Sequence, residues 1–153
     1  MRNTPMAKDL PEGAPVMLRM SVERESGYLS WLGMQMQNIE HGATTLSIPF
    51  DAKLTDRENE PPTVHNGIVA TLMEQAGEIA IRTTMPDPVN DRVEPLSLDC
   101  NYLNEAAHDL TAAAEVVERG DGSAVATITV ESRTPDGNLS TIATGQGVYR
   151  TET

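Results

Sequence analysis

Residues 64 to 82, VHNGIVATLMEQAGEIAIR, are apolar around most of their circumference when wound at about 100° per residue. Thr71, Glu74, Gln75, Glu78 and Arg82 fall on one stripe, while Ile68, Val69, Ala70, Leu72, Met73, Ala76, Gly77, Ile79, Ala80 and Ile81 occupy the rest. A helix half immersed in water does not have such a surface. The sequence therefore predicts a helix from about Asn66 to Thr84 enclosed by other structure, with a narrow polar strip facing something else.

What encloses it follows in the chain. Beyond the helix the apolar period drops to two and stays there through SLDCNYLN, LTAAAEVVE, SAVATITVESR and LSTIATGQGVYR. The last three are separated by Gly120-Asp121-Gly122 and Pro135-Asp136-Gly137, whose Asp-Gly steps suit tight hairpins because glycine accepts positive φ. These segments predict a four-stranded meander. Upstream, alternation from Met34 and from Thr44 to Phe50, with a turn at Glu40-His41-Gly42, predicts a further hairpin. Pro15 to about Trp31 has roughly helical apolar spacing, and residues 1–14, polar and rich in Pro and Gly, predict a loose arm. Residues 51–64 predict a long polar loop, broken by Pro61 and Pro62, of the kind that often carries function. The expected fold class is α+β: one domain over residues 1–153, with a long central helix wrapped by a curved antiparallel sheet of about six strands and a short N-terminal helix.

Composition narrows the function classes. The formal charge is −12, from 23 acidic against 11 basic residues, and the basic residues are scattered singly. Nucleic acid as a partner is excluded on that ground, because phosphate neutralisation needs clustered Lys and Arg. A single cysteine, Cys100, excludes an internal disulfide framework, and its place in the alternation Leu98, Cys100, Tyr102 makes it a core thiol. No run approaches the roughly 20 apolar residues needed to span a bilayer, and the first residues have no apolar signal core. The expectation is a cytoplasmic protein with no membrane partner. His41, His65 and His108 are too widely spaced for a metal motif, so no metal site is expected.

The two glutamates of the stripe admit two readings. Glu78 and Arg82 make an i,i+4 pair of the sort found on any solvent-facing edge, worth a few tenths of a kcal/mol. Glu74 on the same strip needs no special cause from periodicity alone. The helix start suggests more. Asn66 is a good N-cap residue, and the first-turn N–H groups are unsatisfied donors at the positive end of the helix dipole, able to hold an oxyanion. Acyl-transfer chemistry needs such donors and a carboxylate at one carbonyl carbon. Asn66 and Glu74 are separated by about 12 Å of helix axis at 1.5 Å per residue. Two helices packed antiparallel across a two-fold axis bring the start of one beside the Glu74 of the other, so a homodimer is part of the expectation.

With Asn59 six positions before His65-Asn66-Gly67, and Glu74 eight after Asn66, the chain resembles the hotdog-fold acyl-CoA thioesterases, in particular the PaaI-like branch of the phenylacetic-acid pathway. The likeness runs from Gly27-Tyr28-Leu29 through SLDCNYLNEA to the closing GQGVYR. It implies hydrolysis of an acyl-CoA thioester, with Glu74 as nucleophile or general base and the Asn66 N–H polarising the carbonyl. Gly67 would let the backbone approach, Asn59 would hold the water or the carboxylate, and His65 would shape the loop without acting as base. It also implies an acyl-CoA partner, a homodimer that pairs into a dimer of dimers, and no cofactor beyond the coenzyme A of the substrate. Arg119, Ser123, Arg133 and Arg150, near hairpin ends, are the candidates for the coenzyme A phosphates. Two positions depart from the family pattern: Asn66 stands for the first glycine of His-Gly-Gly, and Glu78 stands where some relatives have Ser or Thr. The other readings are a hotdog enoyl-CoA hydratase or dehydratase, and a non-catalytic acyl-CoA-binding domain.

Overall fold

A computed structural model describes residues 10–56, 58 and 60–153; most of the arm read over residues 1–14, and Asn59, lie outside the described residues. The enclosed helix is present as α3, Asn66–Arg82. Val69, Leu72, Met73, Ala76, Gly77, Ile79, Ala80 and Ile81 are buried along it, whereas Thr71, Glu74, Gln75, Glu78 and Arg82 are only partly covered. The stripe predicted from periodicity is thus a physical strip on the folded helix.

Before α3 come β1 (Gln35–Glu40) and β2 (Ala43–Ile48), then the two-residue strands β3 (Thr55–Asp56) and β4 (Thr63–Val64). After it come β5 (Arg92–Tyr102), β6 (Leu110–Arg119), β7 (Ser123–Arg133) and β8 (Leu139–Glu152). Six strands form one antiparallel sheet in the order β1-β2-β6-β7-β8-β5, and α3 lies against its inner face. Small residues make the approach close: Ala112, Ala114, Ala126 and Ala143 are almost wholly buried among Leu46, Ile48, Ile128 and Val130. Helix and sheet pack tightly here because the sheet surface is short-chained.

Three expectations need correction. The four late strands are not a meander, since β5 pairs with β8 and β6 pairs with β2. The two Asp-Gly hairpins, β6–β7 and β7–β8, are as expected; the β5–β6 link, residues 103–109, contains no glycine or proline and crosses the end of the sheet instead. On the way the Leu103 and Asn104 N–H groups donate to the Ile142 carbonyl, and the Ala107 N–H donates to that of Arg133. The crossing lets β6 join β2, so the sheet curls round α3 on both sides. Second, the N-terminal helix is broken: α1 (Ala14–Met20) runs into a π turn over Ser21–Glu25, and α2 (Gly27–Leu32) starts afresh. Ser26 causes the break, with extended backbone and a hydroxyl accepting from the Leu29 N–H as an N-cap. Third, residues 51–64 are not loop throughout, because β3 and β4 pair through Thr55 with Val64 and Asp56 with Thr63.

The two edges of the sheet differ. On β1, the Met36 N–H donates to Glu23 Oε2 at 2.9 Å, and Arg19 Nη1 donates to the Met36 carbonyl at 2.6 Å. Side chains from the N-terminal helical region therefore plug that edge. Among the described residues nothing pairs with the outer edge of β5 along its eleven residues, and Leu96, Tyr102 and Leu103 at or just beyond it are 52%, 43% and 55% exposed. Among the described residues no helix is long and apolar enough to cross a membrane.

Candidate active site

The start of α3 is held from three sides. The Val64 N–H donates to the Ala106 carbonyl and the His65 N–H to that of Leu54, fixing the chain just before the helix. The N-cap is His65, one residue earlier than the sequence predicted: its backbone is extended, and its Nδ1 accepts the Gly67 N–H at 2.8 Å. A Cβ at residue 67 would lie 3.0 Å from that same Nδ1, so glycine leaves room for the cap. Asn66 becomes the first helical residue. The Ile68 N–H donates to the His65 carbonyl, and the Gly67 N–H is taken by the imidazole. Among the described residues, the Asn66 N–H has no acceptor.

That donor belongs to a residue lining a cleft of about 300 Å³, walled by Asp56, Thr63, Val64, His65, Tyr102, Leu103, Asn104 and Glu105. A free N–H at a helix start, carrying the positive end of the dipole, is a ready partner for a carbonyl oxygen that gains negative charge. Sequence reasoning missed the part played by β5 and its link in building this cleft, because the crossing of residues 103–109 was not foreseen.

Glu74 is two turns further along and does not line the cleft. Its carboxylate shares the strip with Glu78, whose Oε2 accepts from Arg82 Nε at 3.0 Å with both side chains about four-fifths covered. Arg82 is held further by its Nη1, which donates to the carbonyls of Asp91 at 2.8 Å and Pro88 at 3.3 Å. Burial pushes the Glu78 carboxyl above its usual value; Arg82 pulls it down, and the neighbouring charge of Glu74 adds to the rise. At the N-terminal end of the strip, Thr71 donates to the Gly67 carbonyl, and the Tyr28 and Thr71 hydroxyls lie 3.1 Å apart.

His65, Asn66 and Gly67 are thus together, and Glu74 is separate from them within one chain. Of the four candidates for the coenzyme A phosphates, three cluster beyond the C-terminal end of α3. Ser123 pairs with Arg150 across β7 and β8, and Arg119 Nη1 lies 3.4 Å from the Thr151 hydroxyl. Arg133 is at the opposite end of β7, where its Nη1 donates to the Gly137 carbonyl. Among the described residues no group of three or more His, Cys, Asp and Glu is placed to hold a metal ion.

Comparison with known proteins places this geometry. The thioesterase superfamily model matches residues 62–137, which span the cap, α3 and the strands as far as the β7–β8 turn. A Halobacterium salinarum protein provisionally named an esterase is 38% identical over 128 residues, covering 82% of this chain and 85% of its own. The crystal structure of a thioesterase family protein from Silicibacter pomeroyi superposes with a TM-score of 0.78 at 26% identity, over 92% of this chain and 98% of that one. The Escherichia coli PaaI protein of the phenylacetic acid degradation operon has the same fold, with a TM-score of 0.73 at 15% identity over 92% and 94%. A sheet curled round one long helix is the hotdog architecture, and the chain belongs to the thioesterase superfamily. Its class of chemistry is the hydrolysis of thioesters.

Proposed function

We propose that the protein hydrolyses acyl-CoA thioesters to free acid and coenzyme A, at sites completed by two copies of the chain and related to those of the PaaI-like branch. The observation that carries the reading is the unpartnered Asn66 N–H at the head of a helix whose one polar strip bears Glu74. The thioester oxygen accepts from that N–H. Glu74 then either takes a proton from a water whose oxygen attacks the carbonyl carbon, or attacks the carbon itself. In the first route the new C–O bond forms as the C–S electrons leave with the coenzyme A sulfur, which is protonated to the thiol. In the second, water cleaves the resulting anhydride. His65 caps the helix and leaves the Asn66 donor free, and Asn59 is assigned to hold the water or the carboxylate.

The 12 Å or so between donor and carboxylate argues for the second copy. The edge of β5 is where it docks, because an uncovered strand of that length with apolar side chains pairs readily, and the β1 edge is plugged by Arg19 and Glu23. Coenzyme A phosphates fall to Arg133 at one end of the sheet or to Arg119, Ser123 and Arg150 at the other, not to all four together.

The test is thiol release from a panel of short, medium and aromatic acyl-CoAs, run beside Glu74→Gln. The expected result is turnover of at least one member by the wild type and a loss of about a hundredfold or more in the folded variant. Absence of release from every member, or equal release by both proteins, would sink the assignment and favour a binding domain; a change in enoyl absorbance without thiol would favour a hydratase.

A further inference from the structure

Tyr149 lies on β8, fully buried, and its hydroxyl donates to the backbone carbonyl of Glu74 at 2.8 Å. The carbonyl belongs to the residue proposed to do the chemistry, in the middle of a helix whose own i→i+4 ladder already uses it. Space for the ring has been cleared from both elements. A Cβ on Gly77 would sit 2.2 Å from the Tyr149 hydroxyl oxygen, and one on Gly147 would sit 2.6 Å from its Cε1. Glycine inside a helix costs about 1 kcal/mol relative to alanine, and glycine inside a strand weakens it. Two such residues flank one ring, so its seat is maintained at a cost to both elements. Burial, with the nearby carboxylates of Glu74 and Glu78, raises the pKa of the phenol, so the hydroxyl remains a donor.

We infer that Tyr149 is a positioning residue: its hydroxyl fixes the turn of α3 that carries Glu74 against the sheet, and so sets where the carboxylate stands relative to the thioester carbonyl. This rests on the proposed role of Glu74. A buried phenol needs an acceptor in any case, and the acceptor it has here is the backbone of the residue proposed to do the chemistry. The apolar ring contributes to stability through Ile81, Met85, Val93, Ala124 and Ala126, which form its cluster, and phenylalanine retains that packing. Removing the oxygen therefore separates the two roles.

The experiment compares Tyr149→Phe with Thr44→Val. Thr44 is equally buried, and its hydroxyl donates to the Asn38 carbonyl at 2.7 Å in the β1–β2 hairpin, away from the strip. Each variant loses one hydroxyl-to-carbonyl bond. The prediction is that Tyr149→Phe lowers kcat about tenfold with KM changed by less than about twofold, while Thr44→Val leaves both unchanged at a comparable loss of melting temperature. Should Tyr149→Phe keep wild-type kcat, or lose no more than Thr44→Val, the tyrosine is core packing and the inference is wrong. Glu74→Gln in the same assay distinguishes the levels. Full activity in that variant, or no turnover by the wild type, overturns the reading of Glu74 and this inference with it; loss there without loss in Tyr149→Phe overturns the inference alone.

Discussion

At the scale of single residues, the strip of α3 was legible because helical periodicity separates five polar side chains from ten apolar ones with little ambiguity. Glu78 and Arg82 meet as the i,i+4 rule requires, and the pair is more enclosed than a surface pair because Arg82 is also drawn onto the Asp91 and Pro88 carbonyls. The enclosure has a consequence for pH. The folded Glu78 carboxyl binds its proton more readily than the unfolded one, so its contribution to stability is fully present below the unfolded value and is lost as pH rises through the folded value. Glu78→Gln removes this titration. In urea unfolding at a series of pH values, the stability of the wild type relative to Glu78→Gln should fall as pH rises through the acid range; a relative gain would mean that the Arg82 pair outweighs desolvation. Tyr149 was not legible as a partner of Glu74. Its signals were indirect: the glycine inside an otherwise apolar helix, and the Gly145-Gln146-Gly147 step before it in β8, both mark close approach without saying what approaches.

Among the elements, those announced by local chemistry were readable and those made by long-range pairing were not. Asp-Gly steps located the β6–β7 and β7–β8 hairpins, but nothing within residues 103–109 states that β6 will cross to β2. The absence of a tight-turn step there was the available clue. The short β3–β4 pair was hidden because two residues per strand leave no period to read. The start of α3 at Asn66 was read correctly but its cap was misplaced by one residue, since Asn66 is the commoner capping type and His65 takes the role through its ring nitrogen. This cap is itself testable. His65→Ala should lower unfolding stability by about 1 kcal/mol and fray the first turn, whereas His65→Ser, which caps through its hydroxyl, should recover most of the loss. If alanine and serine are equally costly, the ring matters for its packing and not for its bond to Gly67.

For the molecule as a whole, the charge of −12 and scattered basic residues argue against a nucleic-acid partner, and the sequence reading set the two halves of the candidate site apart on one helix, to be joined only across a two-fold axis. The folded chain keeps them apart: Asn66 lines the cleft beside Tyr102 and Asn104, and Glu74 stands on the strip. In the proposed dimer the plugged β1 edge and the open β5 edge favour docking through β5. The central claim, that each site takes its donor from one chain and its carboxylate from the other, is tested most directly by complementation between Asn66→Pro and Glu74→Gln. Proline removes the N–H yet suits the first helical position, and the extended backbone of His65, φ −62° and ψ 137°, suits the residue before it. Each homodimer should be nearly inactive. After subunit exchange of an equal mixture, half of the dimers are mixed and each regains one intact site, so thiol release should return to about a quarter of wild type. A mixture that remains inactive while native mass spectrometry shows the mixed dimers would place donor and carboxylate in one chain and contradict the account.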